Sequence, residues 1–137
     1  MTARTILFVD DDRYEMLGLV ERLEAAGFDV RPVTNPSQAL SMIKSGYSPS
    51  LIISDLIMAG DPDASPMSNR HVGVEFCREV RELNLTCPII VLTVVTDTVV
   101  QNEARRYAGV LLLKPVSPNN LLRRVEEALR DQVMETV

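Results

Sequence analysis

The chain has 137 residues, enough for one domain that buries a real core without disulfides or metals as staples. With 46% hydrophobic and 24% charged residues it has the balance of a globular protein, which excludes disordered and fibrous classes. Fourteen basic against nineteen acidic residues leave a net charge of −5, which argues against direct nucleic-acid binding, and no Trp with 4% aromatics argues against base-stacking platforms.

Apolar runs and helical spacing alternate from the start. Thr5 to Val9 is a short strand stopped by Asp10, Asp11 and Asp12, too short before its first acid for a signal peptide. Met16, Leu19, Val20 and Leu23 follow helical spacing, with Gly27 as the stop. Phe28 to Val33 reads as a second strand, and Pro32 within it restricts that strand to a sheet edge. Asn35-Pro36-Ser37 opens a helix carrying Ala39, Leu40 and Ile43 up to Gly46. Leu51 to Ile53 is a third strand, followed by Asp55. After a polar stretch, Val74 to Leu85 predicts a helix with Phe76, Val80 and Leu83 on one face. Ile89 to Leu92 and Val110 to Leu113 are the fourth and fifth strands, with a helix between them ending near Ala108-Gly109. Ser117-Pro118 starts a last helix through Leu121, Leu122, Val125 and Leu129. No apolar run is long enough to span a membrane. Cys77 and Cys87 fit neither a metal spacing nor a disulfide framework; they predict plain packing in a reduced, cytoplasmic chain.

Continuous apolar strands alternating with helices imply an α/β fold with a parallel sheet covered on both faces. Five such units predict a single doubly wound (βα)5 domain over residues 1–137, strand order 2-1-3-4-5, with no internal repeat. Any output module is expected elsewhere.

In such sheets ligands bind beyond the carboxyl ends of the strands. This sequence places Asp10 and Asp11 after the first strand, Asp55 after the third, Thr93 after the fourth and Lys114 after the fifth. Each alone is an ordinary cap or solvated charge; together they predict a site. The first and third strands are neighbours where the strand order reverses, which brings Asp10, Asp11 and Asp55 together. Two carboxylates about 4 Å apart repel by about 4 kcal/mol at an effective dielectric near 20, so such a cluster holds protons or a cation. Oxygen ligands in a small site suit Mg²⁺, with Mn²⁺ or Ca²⁺ able to substitute. Lysine and hydroxyl beside the cation suit phosphoryl oxygens, and an aspartate can itself be the nucleophile.

The segments Ile6-Leu7-Phe8-Val9-Asp10-Asp11-Asp12, Ser54-Asp55-Leu56-Ile57-Met58, Ile90-Val91-Leu92-Thr93 and Leu113-Lys114-Pro115 together resemble the receiver domains of two-component response regulators, over nearly the whole chain. The resemblance implies that Asp55 accepts a phosphoryl group. Asp10, Asp11, Asp55 and the backbone carbonyl of Ile57 would hold Mg²⁺, Thr93 and Lys114 would bind the phosphoryl group, and a cis Lys114-Pro115 bond would be usual. The donor would be a sensor histidine kinase or a histidine phosphotransfer protein, and the output an unidentified domain or protein reached without a membrane. A homodimer stays open. The surface of the fourth and fifth helices, with Arg105, Arg106, Arg123, Arg124 and Glu127, would offer partner contacts or simply solvated faces.

Four departures from the family pattern stand out. Leu111 replaces the usual aromatic, Val94 a usually small residue, and Ala59 a common proline. The stretch 59–71 makes its connection about ten residues longer than is typical, and reads either as a surface insertion or as a lid or kinase-specificity element. His71, the lone histidine, ends that stretch as a solvated residue or a relay candidate. Two other readings compete: an adaptor acting only by protein binding, and an aspartyl-phosphate phosphatase of haloacid dehalogenase type. The latter would use Asp10 as nucleophile, but Tyr14 stands where its signature needs Thr or Val.

Overall fold

The computed structural model describes residues 4–58 and 72–135. Among the described residues, five strands alternate with five helices: β1 (Thr5–Val9), α1 (Arg13–Ala25), β2 (Asp29–Val33), α2 (Pro36–Lys44), β3 (Leu51–Asp55), α3 (Val72–Glu82), β4 (Ile89–Thr93), α4 (Thr98–Arg105), β5 (Val110–Leu113) and α5 (Pro118–Glu135). All neighbouring strands pair in parallel, in the order β2-β1-β3-β4-β5. The expected fold and strand order hold.

Side chains alternate across a strand, so each apolar run feeds two cores. Leu7, Val9, Ile52, Ile89 and Val91 face Ala39, Ile43, Phe76 and Val80 of α2 and α3. Ile6, Phe8, Ile53, Ile90 and Leu92 face Met16, Leu23, Leu121 and Val125 of α1 and α5. This is why β1, β3 and β4 are apolar without interruption: neither face meets water. Pro32 lies in β2, an edge strand, where the missing N–H is tolerated. Cys77 and Cys87 are buried free thiols in the first core, as the packing reading expects, and burial pushes the Cys77 thiol up to about 12.

Helix starts follow the capping residues. Asp12 caps α1, accepting from the Tyr14 and Glu15 N–H groups; Asn35 caps α2 with Pro36 behind it; Asp97 caps α4. Gly27, past the end of α1, has φ of 100°, a conformation that L side chains rarely adopt. Several boundaries shift by a few residues. The third strand runs on to include Asp55, and α3 begins at Val72 and ends at Glu82 rather than spanning Val74 to Leu85. Asn84, with φ of 66°, turns the chain there while Leu83 and Leu85 still pack on the core, which is why their periodicity reads as helical. The stretch 59–71, with Ala59 and His71, lies outside the described residues.

Candidate functional site

The carboxyl ends of β1, β3, β4 and β5 meet at one rim. Asp10 follows β1, its N–H donating to the Val33 carbonyl at 3.0 Å while its Oδ1 accepts from the Asp12 N–H at 2.9 Å. Asp55 ends β3, and the Leu56 N–H after it donates to the Leu92 carbonyl at 3.1 Å, tying the turn to β4. The Ile57 N–H reaches Asp55 Oδ1 at 3.4 Å. From β5, the Lys114 N–H donates to the Thr93 carbonyl at 2.8 Å, which aligns the lysine with the other three strand ends. The Lys114-Pro115 bond is cis, as expected from the resemblance.

Asp10, Asp11 and Asp55 each offer a carboxylate oxygen, and these oxygens lie within 4.8 Å of one another. Asp10 and Asp55 are buried and Asp11 is exposed. Lys114 Nζ reaches Asp55 Oδ2 at 3.0 Å, Asp10 Oδ2 at 3.5 Å and Glu15 Oε1 at 2.6 Å. Thr93 is fully buried, its Oγ1 accepting from the Val95 N–H at 2.9 Å, which leaves the hydroxyl proton to donate. Asp10, Asp11, Asp55 and Lys114 therefore converge, and Thr93 stands at the adjoining end of β4, bonded through its carbonyl to Lys114.

Among the described residues, three carboxylates pair with the Lys114 ammonium, and Asp11 lies beside two of them. Burial pushes the Asp10 carboxyl up to about 6, against the pull of the Asp12 N–H and Lys114. Burial also raises Asp55, while its hydrogen bond to Lys114 works in the other direction. Burial alone would depress Lys114, but hydrogen bonds to Glu15 and Asp55 outweigh it and hold the ammonium firmly charged. Three converging carboxylate oxygens, one of them from exposed Asp11, would suit a hard divalent cation, which takes oxygen ligands.

Two residues that sequence reasoning missed complete the site. A Cβ on Gly73 would collide with the backbone of Asp55 and Leu56, and its N–H donates to the Leu56 carbonyl at 3.0 Å. Only glycine lets α3 pack this closely against the Asp55 turn; a glycine inside helical spacing was the available signal. Glu15, which the sequence reading did not single out, contacts Lys114, and no local pattern announces a contact of that kind. Conversely, Asp12 of the acidic triplet is a helix cap.

Residues 6–126 match the family model of the response regulator receiver domain. The chain belongs to the response regulator receiver family. The dehalogenase reading is thereby set aside. The DNA-binding response regulator MtrA of Mycolicibacterium smegmatis is 37% identical over 128 residues, which are 91% of this chain and 50% of that protein. The phosphoglycerate transport system transcriptional regulatory protein PgtA of Salmonella typhimurium is 30% identical over 93% of this chain and 28% of its own length. The chain spans about half the length, or less, of these relatives. Among solved structures, the chemotaxis response regulator CheY4 of Vibrio cholerae superposes with a TM-score of 0.75 at 27% identity, covering 93% of this chain and 99% of that one. A CheY-like receiver domain protein from Methanospirillum hungatei reaches 0.82 at 24% identity, covering 97% and 98%, and shares the fold. Receivers are signalling modules, and none of the described helices is long and apolar enough to cross a membrane.

The departures from the family pattern find different settings. Leu111 is half-buried against the first core, and Val94 is 65% exposed, so it is not a packing residue at the sheet end. Arg106 pairs with Glu103, and Arg123 and Arg124 both pair with Glu127, within single helices at the surface. Such pairs contribute at most about 0.5 kcal/mol each and mark solvated faces.

Proposed function

We propose that Asp55 is the phosphoacceptor of a cytoplasmic two-component system, taking its phosphoryl group from a phosphohistidine on a sensor histidine kinase or a histidine phosphotransfer protein. The observation that carries this reading is the Lys114 ammonium 3.0 Å from Asp55 Oδ2 inside an acidic cluster with room for one cation. An Asp55 carboxylate oxygen attacks phosphorus in line. A P–O bond forms as the P–N bond breaks, and the bonding pair leaves with the imidazole nitrogen, which takes up a proton to give neutral histidine. Lys114 turns one N–H from its carboxylates to a phosphoryl oxygen, and Thr93 donates its free hydroxyl proton to another. Asp10, Asp11, Asp55 and the Ile57 carbonyl are the ligands we assign to Mg²⁺, for which Mn²⁺ or Ca²⁺ can stand in. The cation, when bound, neutralises charge on the transferring group. The chain thus acts on itself, promoting its own phosphorylation and dephosphorylation.

The match over residues 6–126 supports reading 1–137 as one receiver domain with an insertion at 59–71. Phosphorylation biases a two-state surface around α4, β5 and α5 toward partner binding. Relatives named as DNA-binding response regulators support a DNA-binding output, and the net charge of −5 supports leaving DNA contact to that output rather than to this domain.

Incubation with acetyl phosphate and Mg²⁺ tests the reading. Wild type incorporates one phosphoryl group and Asp55→Asn none; equal incorporation by both removes the proposal.

A further inference from the structure

Glu15 belongs to none of the motifs that carry the family resemblance, yet among the described residues it makes the shortest of the Lys114 ion pairs. Its Oε1 lies 2.6 Å from Lys114 Nζ, against 3.0 Å for Asp55 and 3.5 Å for Asp10. An ammonium has three N–H donors, and three carboxylates engage them here. Glu15 is set by the first turn of α1, where its N–H donates to Asp12 Oδ1 at 3.0 Å. The acidic run that delivers Asp10 and Asp11 therefore also fixes the reach of Glu15.

Exposure separates the three partners. The Glu15 side chain is 40% exposed, whereas those of Asp10 and Asp55 are 1% and 11% exposed. Water can solvate Glu15 once it lets go of the ammonium, and it can do so far less for the two aspartates. Glu15 is thus the partner that Lys114 gives up most readily when a phosphoryl oxygen needs a donor.

We propose that Glu15 is a positioning residue that competes with the phosphoryl group for Lys114 and thereby restrains phosphorylation of Asp55. This rests on Asp55 being the phosphoacceptor. Two effects act in one direction: Glu15 occupies a donor that the transferring group needs, and its charge repels an incoming anion at a rim where Asp10, Asp11 and Asp55 already converge. Removing that charge while keeping the side chain's shape speeds the reaction.

The experiment compares wild type, Glu15→Gln and Glu15→Asp for the rate of labelling by acetyl phosphate with Mg²⁺, at low and at molar salt. Glu15→Gln is expected to label about two- to fivefold faster at low salt, the range that a partly exposed carboxylate–ammonium pair commands. That gain shrinks at molar salt, where exposed charges are screened. Glu15→Asp, which keeps the charge on a shorter stem, falls between the two. A thermal double-mutant cycle of Glu15→Gln with Lys114→Met shows non-zero coupling if the two groups interact. Labelled wild type with an equal or slower Glu15→Gln overturns this inference alone, as does a salt-independent gain or zero coupling. Unlabelled wild type overturns the phosphoacceptor reading and this inference with it.

Discussion

Lys114 Nζ and Asp55 Oδ2 lie 3.0 Å apart although 59 positions separate them in the chain. Neither local turn could bring them together. Parallel pairing of β3 with β4 and of β4 with β5 sets both strand ends at one rim, and the Lys114 N–H bonded to the Thr93 carbonyl fixes the height of the lysine. The sheet register is therefore what assembles the chemistry.

Taking the amine away isolates two buried acids. Lys114→Ala leaves Asp10 and Asp55 without their shared cation, so their carboxyls shift further upward and no amine meets the transferring oxygens. Labelling by acetyl phosphate should slow on the order of a hundredfold, the scale set by removing one preorganised charge-stabilising donor. A variant within threefold of wild type would show that Lys114 is bystander rather than participant.

Cation binding should depend on pH through Asp10. Its folded value of about 6 lies above the ordinary 3.8, so ionised Asp10 destabilises the cation-free fold. That penalty is complete above about 6 and fades as pH falls toward 3.8, where the unfolded chain also becomes protonated. Mg²⁺ offsets the penalty only where the carboxylate is charged. The rise in Tm produced by Mg²⁺ should therefore be larger at about pH 7.5 than at about pH 5. Equal rises at both would remove Asp10 from the ligand set.

Gly73 should resist replacement. Gly73→Ala drives a Cβ into the backbone of Asp55 and Leu56, and that backbone is pinned to β4. Urea unfolding should show a loss of about 1–3 kcal/mol, the usual penalty of overpacking, although alanine is the better helix former. An increase in stability would contradict the close approach.

Val94 follows buried Thr93 and stands 65% exposed; we propose that its bulk shields Asp55 from an attacking water. Val94→Ala should shorten the half-life of the phosphorylated protein. An unchanged half-life assigns the valine no part in hydrolysis.

Much of this was legible before the fold was known, for physical reasons. Apolar runs such as Leu51 to Ile53 and Ile89 to Leu92 admit few alternatives once both sheet faces must be covered; the first breaks at Ser54, just before Asp55, and the second at Thr93. What escaped depends on contacts between distant segments. Three consecutive aspartates do not announce that Asp12 caps α1 while Asp10 and Asp11 face the cluster. Glu15 obeys the helical pattern of α1 and gives no local sign of Lys114. The close approach of Gly73 to the Asp55 turn is a constraint that apolar spacing from Val74 onward does not contain.

The central claim is tested most directly by locating the modified carboxyl. Borohydride reduces an aspartyl phosphate to homoserine, which peptide mass spectrometry reads at a single position. After treatment with acetyl phosphate and Mg²⁺, homoserine should appear at position 55 and nowhere else. Homoserine at position 10 or 11, or a phosphoryl group retained on another residue with Asp55 intact, would contradict the account.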